Sequence, residues 1–318
     1  MNRRLRGLAA AVVTAALAAA PAAAYESDQY SNRLQPLADA APVLDGVVNR
    51  ALAKIAARWH RVDDRERFAY EIYEELGGAY WVDHIERFAM KSPAIERLPQ
   101  HRWRSIYRGA PLRAGRVESA FGVGATIRLA GSLVGTDKLG HFFSQGFKYY
   151  KSHLAGWPEE RILGRGRFNE RWIFGQLTTS VFSNADLVAD YQGYRFYRSL
   201  FADAVVPGKP AIVRLTGGVA RIQREFHWSD YVDDYWDEAL DPSHMSPVMA
   251  RYFRSRLPAL CGDYARDPRA FVSPDDAELA RRYRKLGLQT APELRMDAVC
   301  AQTVAGSATT TAGSDSPR

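Results

Sequence analysis

The sequence predicts a mainly α-helical fold, a single helical domain over residues 25–302 with a few short extended segments. Three observations predict it. Apolar side chains recur at three- and four-residue steps through much of the chain. Ser, Asp and Pro stand at the starts of those stretches and glycines at their ends. Strand-like runs are short and sit between glycines and prolines.

A targeting segment precedes the domain. Arg3, Arg4 and Arg6 lead into an apolar run over 7–19, and Ala22-Ala23-Ala24 offers a small-x-small cleavage site. Residues 1–24 therefore read as a signal peptide, with a mature chain from Tyr25 that is periplasmic or secreted. The general secretory and twin-arginine routes both stay open. The apolar run is too short to span a bilayer, and no transmembrane segment follows it.

The elements follow in order. Leu44, Val47, Val48, Leu52, Ile55 and Trp59 mark the apolar face of a first helix. Asp63-Asp64 can cap a second, striped by Phe68, Ile72 and Leu76 and stopped at Gly77-Gly78. Tyr80, Val82, Ile85 and Phe88 suggest a short third helix, with His84 and Glu86 as surface or helix-end groups. Residues 91–117 are broken by Pro93, Pro99 and Pro111 and read as loop. The glycine-rich 120–135 stretch suits close packing or a hairpin. Helices are expected over 136–154, from Trp157-Pro158-Glu159-Glu160 onward, and over 169–179. Ser183 can cap the next helix with Asp186 as its reciprocal partner. A short strand fits within 207–218. Asp230, Asp233, Asp234 and Asp237 would share one helical face, with Tyr231, Tyr235 and Trp236 packed on the other. Short helices fit 249–257 and 273–287. Residues 303–318 are mostly small and polar and cannot bury enough surface to order themselves.

The formal charge of the 318-residue chain is +7, including the three signal arginines, and it is dispersed. A nucleic-acid footprint would be a clustered basic stripe, so nucleic acid is not an expected partner. Peripheral contact with a membrane surface stays open. Cys261 and Cys300 are the only cysteines, and in an oxidising compartment they read as a disulfide.

Two stretches carry the chemistry. The first holds Asp137, Lys138 and His141; on a helix, Asp137 and His141 share a face. The second holds Asp186 and Asp190, and Asp190 lies inside a helix crowded with aromatic side chains. A carboxylate there is either exposed or paired, because burying it alone is costly. Three readings compete. In the first, Asp137, His141, Asp186 and Asp190 form the catalytic set of a glycoside hydrolase, with paired carboxylates cleaving an envelope or extracellular glycan. Lys138, Gln145, Tyr191, Tyr194, Trp228 and Asp234 would then bind the polysaccharide, and no cofactor is needed. In the second, a divalent metal at His141 and Asp137 activates water for ester or phosphoester hydrolysis. In the third, each residue has a structural job in a non-enzymatic envelope protein.

The blocks Gly-Thr-Asp-Lys-Leu-Gly-His-Phe-Phe (135–143) and Asn-Ala-Asp-Leu-Val-Ala (184–189), followed by the Gly193 to Tyr197 aromatic segment, resemble those of an exported bacterial protein family. The resemblance runs from about residue 65 to 245. It implies export and a shared role for the two blocks, and it implies no particular reaction. The Asp-Lys-x-x-His piece is also similar to one in small VanZ-like membrane proteins, whose set of spans this chain lacks.

Overall fold

The structure, a computed structural model, describes residues 27–60, 63–78, 82–98, 105–110, 123–171 and 180–302. The expected signal peptide, Trp103, Tyr80, most of the expected 169–179 helix and the C-terminal segment from 303 lie outside the described residues.

The fold is mainly α. Helix α1 (Ala41–Ala57) buries Leu44, Val48, Leu52 and Ile55, the expected stripe. Helix α2 (Arg65–Leu76) is capped by the Asp64 side chain, which accepts from the Arg67 amide, and buries Phe68, Ile72 and Leu76. Helix α3 (His84–Lys91) starts at Asp83, whose side chain makes no cap bond. An antiparallel hairpin of β1 (Thr126–Leu129) and β2 (Ser132–Gly135) then feeds α4 (Asp137–Gly140). The expected long helix is present, with one wide π turn at His141–Gln145 before α5 (Gly146–Leu154). Helix α6 (Glu159–Asn169) follows, with Glu159 and Glu160 in its first turn.

The centre of the molecule is α7 (Asn184–Ser199). Every residue in it is buried except Arg195 and Arg198. A helix buried all round is normally apolar all round, yet this one carries Asn184, Asp186, Asp190 and Gln192. Each must find a partner inside the protein. Its other faces hold the main aromatic core, in which Phe142, Phe143, Phe196, Phe226, Trp228 and Trp236 meet edge-to-face or tilted. The crossing of α7 with the π turn is very close. A Cβ on Gly193 would lie 1.9 Å from the Phe142 carbonyl oxygen, so only glycine fits there. The Tyr197 hydroxyl donates to the Phe143 carbonyl at 3.0 Å in the same turn.

Beyond α7, β3 (Val213–Thr216) and β4 (Val219–Ile222) form a hairpin where a single strand was expected. The acidic run after it is not a regular helix. It forms two 3₁₀ turns, Trp228–Asp230 and Asp234–Trp236. The reason is local: the Asp233 side chain bonds the Tyr235 amide, and its own backbone is extended. The four aspartates consequently point apart, Asp230 to Lys209 and Arg224, Asp233 to Tyr283 and Arg282, Asp234 to two serines and Asp237 to Arg33. The C-terminal part adds α8 (Pro247–Arg256), α9 (Cys261–Arg266) and α10 (Asp276–Arg282). With Tyr30, Ile106 and Tyr107 it builds a second apolar cluster, and the Cys261–Cys300 disulfide ties α9 to residue 300. Among the described residues, no helix is long and apolar enough to cross a membrane.

Candidate functional site

The two sequence blocks meet at Lys138. Its ammonium is fully buried and lies 2.7 Å from Asp137 Oδ2, 2.6 Å from Asp186 Oδ1 and 2.9 Å from Glu238 Oε1. An ammonium has three N–H donors, and three carboxylates surround this one. Taking such charges out of water costs several kcal/mol per ion, which only close geometry and further hydrogen bonds offset. Those bonds are present. Ser27 Oγ donates to Asp137 Oδ1 at 2.7 Å, and Ser183 Oγ donates to Glu238 Oε1 at 2.9 Å. A Cβ on Gly135 would come within 2.4 Å of that Asp137 oxygen, so the end of β2 must be glycine for Ser27 to reach it.

His141 continues the network outward. Its Nε2 lies 3.3 Å from Asp186 Oδ2 and its Nδ1 2.9 Å from Asp190 Oδ1. Burial alone would lower the imidazole pKa; Asp186 and Asp190 outweigh it and lift it to about 10. His141 is therefore an imidazolium, with Nδ1 hydrogen-bonded to Asp190 and Nε2 in an ion pair with Asp186. Asp190 is pushed up by burial and pulled back by His141, with a smaller lowering from the nearby Tyr149 hydroxyl. Burial works against ionising Asp186, yet His141 and Lys138 hold it below the usual carboxylate range.

Two cations face more carboxyl groups than they can neutralise, and some of those carboxyls respond by keeping their protons. Burial, reinforced by Asp186, carries Glu170 well above the ordinary range; the Ser183 amide donates to its Oε1 at 3.1 Å. Glu238 is raised by burial despite Lys138. On the far side of α4, burial with Asp137 and Asp83 lifts Glu86 to about 8. Asp83 there accepts from Ser144, which is why it makes no cap for α3. Glu86 is thus a buried member of the cluster and not the surface group expected. Two environments push carboxyls in opposite directions, Glu170 above the ordinary range and Asp186 below it.

Asp137, His141, Asp186 and Asp190 are brought together. Lys138 is also in the cluster, at its closed centre, where no substrate can touch it. The expected capping box is half formed: Ser183 accepts from the Asp186 amide at 3.1 Å, while the Asp186 side chain turns inward to Lys138 and His141. The remaining expected contacts scatter. Trp228 is buried among Phe142, Phe226 and Trp236 and offers no face to a sugar. Asp234 ties Ser132 to Ser273. Tyr191 packs under Lys285 and against Tyr283, and the Tyr194 hydroxyl meets His153. Gln145 does face a cleft of about 330 Å³ between α5 and α6, together with Tyr149, Trp157 and Asn169. Glu170, Glu238, Glu86, Asp83 and Ser27 were missed. The one available signal was α7 itself, whose polar residues demand partners from elsewhere.

The residues do not fit a divalent metal at His141 and Asp137. Both imidazole nitrogens are engaged as donors, both Asp137 oxygens are occupied by Ser27 and Lys138, and the Lys138 ammonium already fills the cation position. Among the described residues, no group of three His, Cys, Asp or Glu is arranged to hold an ion. Compared with known proteins, the chain matches no family model, no curated protein and no solved structure.

Proposed function

We propose that the chain is an exported hydrolase that cleaves an envelope or extracellular glycan by acid–base chemistry. The observation that carries this is the series His141, Asp190, Tyr149: His141 Nδ1 lies 2.9 Å from buried Asp190, and Tyr149, which feels both Asp190 and Glu170, lines an open cleft. Glu170 is assigned as the acid that protonates the leaving oxygen, and Asp190, oriented by His141, as its carboxylate partner. Asp137, Asp186 and Lys138 position His141 and Asp190 without meeting substrate. Export rests on the N-terminal signal pattern, and a disulfide is compatible with an oxidising compartment.

The complete enclosure of Lys138 favours a second reading, a non-enzymatic envelope protein in which the ion network only fixes the fold. One experiment separates the two. Purified protein is incubated with a panel of envelope and extracellular glycans and new reducing ends are measured. The hydrolase reading expects release that falls at least about 100-fold in Glu170→Gln and Asp190→Asn while the fold, followed by circular dichroism, persists. No release from any glycan favours the structural reading.

A further inference from the structure

The α5–α6 cleft has a chemical bias that the acid cluster behind it does not explain. Its described lining includes Lys148, Lys151 and Arg165, all exposed, and no carboxylate. Trp157 stands in the same lining, with the Arg161 and Arg165 guanidinium carbons 4.0 Å and 5.5 Å from its ring centroid. Those contacts hold the indole in place and add positive charge around it. Gln145, Tyr149 and Asn169 add neutral hydrogen-bonding groups to the lining, and Tyr149, its pKa raised first by burial, is close enough to Asp190 and Glu170 for both to raise it further. Lys148 sits close enough to Asp83 to lower its pKa, so cleft and cluster share one field.

We infer that this cleft receives a polyanionic glycan strand, whose sugars carry carboxylate, phosphate or sulfate groups. The inference rests on the glycan reading above and narrows its substrate class. Three cations, Lys148 and Lys151 on α5 and Arg165 on α6, concentrate an anionic chain between them. A fixed indole supplies an apolar plane for a sugar ring, and the amides and the phenol suit its hydroxyls. The cations also offset the negative field of the carboxyl cluster, which would otherwise repel such a strand.

The test is binding, kept separate from cleavage. Fluorescently labelled polygalacturonate, heparin and dextran are titrated into full-chain Asp190→Asn protein at low and high salt. The inference expects both polyanions, or the one whose anionic group fits, to bind more tightly than dextran and to weaken with salt. The triple variant Lys148→Gln, Lys151→Gln, Arg165→Gln should lose at least about tenfold in affinity at low salt. Trp157→Ala should weaken binding and Trp157→Phe restore it. Equal binding of dextran, or an unchanged triple variant, overturns the inference. Binding to phosphatidylglycerol vesicles without binding to either polyanion also overturns it, because exposed Leu154 and Phe168 on these helices would then mark a membrane-facing surface. If polyanions bind yet the wild-type protein cleaves none of them, the hydrolase reading fails and the binding site stands. If neutral glycans alone are bound and cleaved, the reverse holds.

Discussion

Lys138 shows at the scale of one residue what the site costs and what it needs. Its ammonium stabilises three buried carboxylates at once, so removing it strands all of them. Lys138→Met should destabilise the protein by about 3–5 kcal/mol in urea unfolding; a change under about 1 kcal/mol would mean the carboxylates find other partners. His141 makes a pH prediction. Its folded pKa of about 10 stands above the ordinary 6.5. Its contribution to stability is therefore fully present below about pH 6.5 and is lost as pH rises through about 10. Unfolding measured from pH 6 to 10 should show that loss, and His141→Gln should remove it. Glu86, raised from 4.5 to about 8, has the same sign. Its contribution is complete below about pH 4.5 and gone above about pH 8, and Glu86→Gln should flatten the profile across that window. None of these partnerships has a local signature. Asp137 and His141 were legible because they sit four apart on one helix, whereas Ser27 and Glu238 reach Asp137 and Lys138 from more than 90 residues away in sequence.

At the scale of elements, helix periodicity and caps were legible because they depend on neighbouring residues only. Leu44 to Ile55 in α1, the Asp64 cap of α2 and the Ser183 cap of α7 all follow from spacing. The failures came where a side chain had a better long-range partner than its local one. Asp83 leaves α3 for Ser144, Asp186 leaves its capping box for Lys138, and the 230–237 aspartates abandon a helix for separate partners. The π turn at His141–Gln145 is of this kind too. It exists where Gly193 lets α7 press against the Phe142 carbonyl, a contact no sequence period encodes. Gly193→Ala should accordingly cost more than a typical exposed helix substitution, about 1–3 kcal/mol or more, because backbone must move to admit the methyl. A neutral or stabilising result in thermal unfolding would show that the crossing is looser than this.

For the molecule as a whole, the fold wraps a polar helix in aromatic packing, and the outermost members of the charge cluster, His141 and Asp190, keep only 13% and 10% of their side-chain surface exposed. The second apolar cluster, around α8 and the C-terminal segment, is closed covalently by Cys261–Cys300 across 39 residues. Replacing both cysteines by serine should lower stability by about 2–4 kcal/mol, read by denaturant unfolding under non-reducing conditions. Fold class and disulfide were both legible in the sequence, since one rests on periodicity and the other on there being only two cysteines. The cleft was not, because its walls come from α5 and α6, and only Tyr149 in its lining connects it to Asp190 on α7. The central claim is that Asp190 and Glu170 perform acid–base hydrolysis beside Tyr149 in the cleft. Reducing-end release from polyanionic glycans by wild-type, Asp190→Asn and Glu170→Gln proteins tests it most directly. The account predicts release by the wild type alone, with all three proteins equally folded. Undiminished release by either variant would contradict it.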